Sequence, residues 1–358
     1  MPKTVFILGA GASKEDGAPV MDEFLDTAHK LKDVKETKDD FDRVFNAINT
    51  LRNTHYKSYV DVDNIEEVFG AFEMARLIGR LGSYNLEEIA KIQTSIKKVI
   101  VKTLENSVKL PCNDSNISPT PVYSEFAQLV SDMVSMHPRL DCSILTFNYD
   151  MALDYAFHYR HIYIDYCLSE PVTPNKVKLL KLHGSLNWGK CGCGAIKPWY
   201  LSEFFTNFHY DLWHDTKYCH LNIGSMIGKM KHCDSQKVTE EPVLIPPTWN
   251  KTEYHGEIGR VWSQAAIELS EADNIFIIGY SMPESDLFFR YLFALGTTSD
   301  TRLERLWIYN PDAKGSVKER ADKIKGRGIE RRYRFIKEPF SNAISDIRTA
   351  LNVKSGGE

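Results

Sequence analysis

Two residues able to do chemistry stand directly after short apolar runs. Asn148 follows the run 143–147, and His183 follows the run 177–182. An imidazole, with an ordinary pKa near 6.5, can serve as a general base around neutrality. A side-chain amide can hold a water or a hydroxyl through either end. A third segment, Gly9-Ala10-Gly11-Ala12-Ser13, follows the apolar run 4–8. Small residues between a strand and a helix let an anion approach the backbone, where N–H groups and the helix dipole favour it. The third glycine of a GxGxxG pattern would fall at Lys14, and Gly17-Ala18-Pro19 follows instead, so the common dehydrogenase fingerprint is missing. Together the three segments suggest a nucleotide held beside an amide and a base.

Each residue also has a structural reading. An Asn ahead of a helix commonly caps it, and Asp286 stands where it could cap the helical stretch 283–295. A His beside a Gly is commonly a turn residue. Trp188 and Trp249 read as core or pocket wall. What favours function for Asn148 and His183 is their place at the carboxyl ends of predicted strands, where open α/β sheets bind ligands.

The elements that would position them follow from pattern. Residues 4–8 are continuously apolar and β-branched at several positions, which predicts a fully buried strand. Further strands are predicted at 143–147, 177–182, 243–246, 274–279 and 303–309, with helical periodicity between most of them, as at 260–272. This alternation predicts a Rossmann-like, doubly wound parallel α/β sheet. Residues 40–137 are mostly helical in pattern, with Ile65, Val68, Phe69 and Phe72 on one face and Ile89, Ile92, Ile96, Val99 and Ile100 on another. The Pro-rich stretch 111–121 reads as a loop. The expected organisation is one domain over 1–358. Its Rossmann core would cover about 1–34, 139–188 and 242–358, interrupted by a helical insertion at 35–138 and a small Cys/His-containing insertion at 189–241.

Composition narrows the function classes. The 358 residues are 43% hydrophobic and 26% charged, as in a folded globular chain. A net charge of −4 offers no basic footprint, so direct nucleic-acid binding is not expected. No apolar run approaches the roughly 18 residues a membrane helix needs. With no signal-peptide pattern either, a cytoplasmic protein is expected. Seven cysteines, an odd number, fit thiols or a metal site better than a disulfide framework.

Four segments in order resemble the sirtuin superfamily: Gly9–Ser13 with Gly17–Pro19, Thr146–Asp150, His183–Ser185, and Gly279–Ser281. Phe147–Asp150, His183–Trp188, Pro246–Lys251 and Gly279–Asp286 are closer still to the bacterial sirtuin-like NAD hydrolases of antiphage defence. This resemblance implies an NAD⁺ glycohydrolase with NAD⁺ as substrate. Asn148 and His183 would be catalytic. Gly9, Ala10, Gly11, Ser13, Thr146, Asn148, Asp150, His183, Gly279, Tyr280, Ser281, Asp286 and Asn310 would bind the dinucleotide. It also implies a structural zinc on Cys191, Cys193, Cys219 and Cys233, with His220 or His232 as substitutes.

Two departures bear on activity. Val20-Met21-Asp22-Glu23-Phe24 stands where protein-deacylating sirtuins carry Asp-Phe-Arg, and Pro246-Pro247-Thr248-Trp249 where they carry Phe-Gly-Glu. Both losses weigh against the alternatives of lysine deacylation or ADP-ribosyl transfer. A third reading is a non-catalytic NAD or ADP-ribose sensor. An enzyme that exhausts NAD⁺ must be restrained, so a homo-oligomer or a partner such as a DNA-translocating ATPase is expected.

Overall fold

The computed structural model describes residues 2–32, 37–53, 59–113, 116–136, 142–169, 172–173, 175–208, 217–233, 237–245, 255–283, 286–297, 303–312, 314–326 and 328–354. Among the described residues, seven parallel strands make the central sheet: β1 (Thr4–Leu8), β2 (Cys142–Thr146), β3 (Ile164–Asp165), β4 (Val177–Lys181), β5 (Asn274–Ile278), β6 (Arg305–Tyr309) and β7 (Tyr333–Ile336). Their order is β7-β6-β5-β1-β2-β4-β3. β1 lies in the middle, with Leu8 level with Thr146 on one side and Ile278 on the other. The chain winds outward from β1 in both directions, so a crevice opens at the carboxyl ends of β1, β2 and β5, the switch point of a doubly wound sheet. β1, β2 and β5 are buried at every position, which their continuous apolar runs require.

Among the described residues there are twelve α-helices: α1 (Ala10–Lys14), α2 (Phe24–Lys30), α3 (Lys38–Asn53), α4 (Ile65–Ile78), α5 (Leu86–Ser107), α6 (Pro121–Met136), α7 (Ala152–Tyr159), α8 (Leu201–Asn207), α9 (His255–Ser270), α10 (Leu287–Gly296), α11 (Ser316–Ile324) and α12 (Phe340–Ala350). α4 and α5 start on the side chains of Asn64 and Asn85, the latter in a full capping box with Glu88. α4 ends at Gly79, whose φ of 67° suits the left-handed cap. The predicted apolar faces of both helices are buried. α6 packs on the sheet itself, with the Phe126 ring edge-on to Phe6 at 5.1 Å.

The structure departs from the predicted elements in three places. Residues 243–245 form no sheet strand. They make a single antiparallel bridge between Leu244 and Gly184, with Ile245 N–H donating to His183 O at 2.9 Å. β3 and β7 lie at the two edges of the sheet, where half-exposed residues carry no continuous apolar run. Within the Pro-rich loop, the short strand Leu110–Asn113 pairs with Asn116–Ile117 and with Tyr218–Cys219. No helix among the described residues is long and apolar enough to cross a membrane. The segments at 246–251, including Trp249, and at Glu284 and Ser285 lie outside the described residues.

Candidate active site

One cavity gathers Ala10, Ser13, Asn148, Asp150, His183, Tyr280, Ser281 and Asp286 from the ends of four strands. α2, α4 and α5 close it with Phe24, Ile65, Phe69, Ile100 and Leu104. The cavity volume is about 70 Å³ and its walls are mainly apolar.

Asn148 is fixed from behind. Its Nδ2 donates to Gly9 O at 3.0 Å and to Ser13 Oγ at 2.9 Å, with Tyr123 Oη at 3.5 Å. Ser13 Oγ in turn donates to Asp150 Oδ2 at 2.9 Å and meets Tyr123 Oη at 2.8 Å. Asp150 Oδ1 accepts from Ala152 N–H at 3.0 Å. Burial pushes the Asp150 carboxyl above its usual range, and Lys181 opposes that. Both Asp150 oxygens are thus engaged inside the protein, and the residue acts on Asn148 through Ser13. Asn148 does not cap α7, which starts after Met151 with no side-chain cap.

Lys181 underpins this group. Its ammonium is buried and donates to Asp150 O at 2.7 Å, Asp154 Oδ2 at 2.9 Å and Ser185 Oγ at 2.8 Å, so all three donors are used. Ser185 donates to Asn187 Oδ1, and Asn187 to Tyr166 Oη and Trp199 O. This satisfied network ties the segment after β2 to the segment after β4.

His183 is buried, with Nε2 at 3.6 Å from Asp286 Oδ2. Asp286 Oδ2 also accepts from Tyr280 Oη at 2.7 Å, and its Oδ1 accepts from Phe289 N–H at 3.4 Å as the cap of α10. Capping and a place beside His183 therefore coexist. The Tyr280 ring stacks on Phe147 at 4.3 Å, and Phe147 meets His183 edge-on at 5.0 Å.

The remaining predicted residues support rather than line the cavity. Gly9 and Gly11 let the first turn press against the end of β5: a Cβ on Gly9 would lie 2.4 Å from Tyr280 Cα, and one on Gly279, at φ 63°, would lie 2.2 Å from Ala12 N. The N–H groups of Gly9, Gly11 and Ala12 already donate to Ile278 O, Gly279 O and Gly9 O. Thr146 Oγ1 donates to Leu8 O and accepts from Asn148 N–H. Asn310 Nδ2 donates to Tyr280 O at 3.4 Å, bracing the loop after β5. Sequence reasoning missed Tyr123 and Lys181. A lysine inside the apolar run of β4 was a signal for the second; Tyr123 gave none.

The thiol cluster corrects one expectation. Cys191, Cys193, His232 and Cys233 bring one ligand atom each within 4.8 Å of one another. Cys191 Sγ to Cys233 Sγ is 3.5 Å, and Cys193 Sγ to His232 Nδ1 is 3.6 Å. Tetrahedral zinc with bonds of about 2.3 Å separates its sulfurs by roughly 3.8 Å, so the set fits the ion. Cys219 is not a member. It is buried on the strand paired with Leu110, and burial together with Cys112 pushes its thiol up to about 12, against the thiolate a metal needs. His232 takes its place, and His220 is turned to Glu105 O at 3.0 Å.

No family model and no curated protein matches the chain. Among solved structures, it is similar to a Sir2 homolog–NAD complex (15% identity, 98% of this chain and 89% of the other, TM-score 0.46). It is also similar to a Sir2 enzyme described under its mechanism and regulation (14%, 98% and 92%, TM-score 0.44). A third is Sir2Tm bound to a propionylated peptide (11%, 98% and 94%, TM-score 0.39). Likeness at this level leaves the function to be argued from the site itself.

Proposed function

We propose that the chain is an NAD⁺ glycohydrolase, which binds NAD⁺ at the switch point and releases nicotinamide and ADP-ribose. The observation that carries this reading is the convergence of Asn148 and His183 on one cavity, with Asn148 anchored through Ser13 to Asp150. The nicotinamide–ribose bond breaks toward an oxocarbenium-like state, and nicotinamide leaves with the bonding pair as a neutral molecule. Little acid catalysis is needed, so the protein must orient the ribose and deliver water. The Oδ1 of Asn148 accepts a hydrogen bond from the water or a ribose hydroxyl. His183 takes the proton as water oxygen bonds to the ribose carbon, and Asp286 orients the ring. The apolar walls exclude bulk water and suit the nicotinamide ring.

The segments at 147–150 and 183–188 further support the narrower role of an NAD⁺-depleting effector in antiphage defence. Its restraint would come from self-association or a partner such as a DNA-translocating ATPase. Zinc on Cys191, Cys193, His232 and Cys233 would be structural, tying the turn at 191–194 to 232–233.

The test is nicotinamide release from NAD⁺ by the purified chain, without any peptide, beside Asn148→Ala and His183→Ala. Turnover abolished by both changes supports the reading. Turnover that survives both removes these residues from the chemistry. Release that requires an acyl-lysine peptide favours a deacylase. Tight NAD⁺ binding without release favours a sensor.

A further inference from the structure

A second cavity, of about 320 Å³, shares Tyr280, Pro283 and Asp286 with the first. Its other walls are Met282, Phe289 and Arg290, with Arg320, Lys323 and Ile324 of α11. It therefore joins an apolar surface to three cations. Its one described carboxylate, Asp286, is already engaged by Tyr280 Oη and Phe289 N–H.

The three cations differ from their neighbours. Lys318 and Lys325 both pair with Asp322, at 2.6 and 3.4 Å, and the Arg334 guanidinium lies 4.6 Å from the Trp307 ring centre. Among the described residues, no carboxylate comes within ion-pair distance of Arg290, Arg320 or Lys323. Asp312 feels Arg320 only at range, its oxygens accepting from Val317 and Lys318 N–H. Arg320 is nonetheless held in place, its Nε donating to Ser281 O at 2.9 Å.

The first cavity has the opposite character. No Lys or Arg among the described residues lines it, and Lys14 beside it is tied to Glu23 at 2.7 Å. The N–H groups of Gly9, Gly11 and Ala12 are engaged as well. Among the described residues that line the two cavities, the cations are Arg290, Arg320 and Lys323, and all three stand in the second.

We infer that Arg290, Arg320 and Lys323 form a phosphate subsite for the adenosine half of the dinucleotide, an inference that rests on the NAD⁺ reading above. Guanidinium forks and an ammonium suit phosphate oxygens, and Met282, Phe289 and Ile324 offer an apolar wall to the nucleoside. The phosphate has two possible sources. One is the diphosphate common to NAD⁺ and NADP⁺; the other is the 2′-phosphate that only NADP⁺ carries.

Calorimetry on the full chain with adenosine, ADP and adenosine 2′-monophosphate tests this. ADP or the 2′-monophosphate is expected to bind at least about tenfold tighter than adenosine. The triple variant Arg290→Gln/Arg320→Gln/Lys323→Gln is expected to lose that margin, whereas Arg334→Gln keeps it. A margin for ADP alone assigns the diphosphate; a margin for the 2′-monophosphate assigns NADP⁺ discrimination. A margin unchanged in the triple variant, with its melting temperature intact, overturns the subsite. So does a wild type that binds neither phosphate better than adenosine. Absence of nicotinamide release with the ADP margin present overturns the hydrolase reading alone.

Discussion

The side-chain amide of Asn148 donates to the carbonyl of Gly9 at 3.0 Å, and this single contact decides which end of the amide does chemistry. A backbone carbonyl can only accept, so the group facing it must be the NH₂. The oxygen is then the end left for the cavity that Asn148 lines. β1 and β2 set the geometry, because Gly9 and Asn148 extend strands whose ends are level at Leu8 and Thr146.

Asn148→Asp tests that orientation. The shape is kept, but a carboxylate oxygen would face Gly9 O and would lose the donation to Ser13. Nicotinamide release is expected to fall at least about 100-fold, with roughly 1–3 kcal/mol of stability lost where the half-buried charge faces Gly9 O. Asn148→Ala should cost about 1–2 kcal/mol and abolish release equally. Comparable turnover by the Asp variant and the wild type would show that the donor end is not needed.

Tyr123→Phe separates positioning from architecture. The hydroxyl touches Ser13 Oγ at 2.8 Å, while the ring packs edge-on against Phe340 at 5.7 Å. Removing only the oxygen should lower kcat about tenfold through a looser Asn148, leave KM nearly unchanged, and cost about 1 kcal/mol of stability. A change in KM alone would instead make Tyr123 a substrate contact.

Much of this was legible in the sequence. β1, β2, β4, β5 and β6 are apolar runs long enough to require burial, and their alternation with helices implies parallel pairing. Asn148, His183 and Tyr280 stand just past strand ends, and the fold brings them with Asp286, the cap of α10, to one cavity. The edge strands β3 and β7 were not, since an edge needs no continuous apolar run. Tyr123 was also hidden. It comes from a helix 25 residues before Asn148, and only the fold brings α6 over the first turn. Spacing also does not show that Cys219 lies apart from Cys191, Cys193 and Cys233, in a strand beside Leu110.

Glu105 predicts a pH-dependent joint between α5 and the segment at 224–225. Burial raises its carboxyl from 4.5 to about 7, against the donors Ser225 N–H, at 2.8 Å, and Ser225 Oγ–H. Because the folded value is the higher one, the protonated form favours the fold. The contribution is complete below about pH 4.5, fades as pH rises through 7, and is gone above it, an effect of about 3 kcal/mol. Chemical denaturation of wild type and Glu105→Gln between pH 5 and 8 should therefore show the Gln variant gaining on the wild type as pH rises. A constant difference across that range would place the Glu105 carboxyl in its ordinary range.

Zinc content discriminates the donor set. If Cys191, Cys193, His232 and Cys233 hold the ion, the purified chain should carry about one zinc, and both Cys191→Ser and Cys233→Ser should lose it. Cys219→Ser should keep it, since that thiol is protonated within a strand. Chelation should lower the melting temperature by loosening the turn at 191–194, where Cys191 N–H donates to Ala195 O and Gly194 N–H to Cys191 O. Nicotinamide release per folded chain should survive chelation, because none of these ligands lines the cavity around His183. Loss of zinc in Cys219→Ser with retention in Cys233→Ser would reverse the assignment.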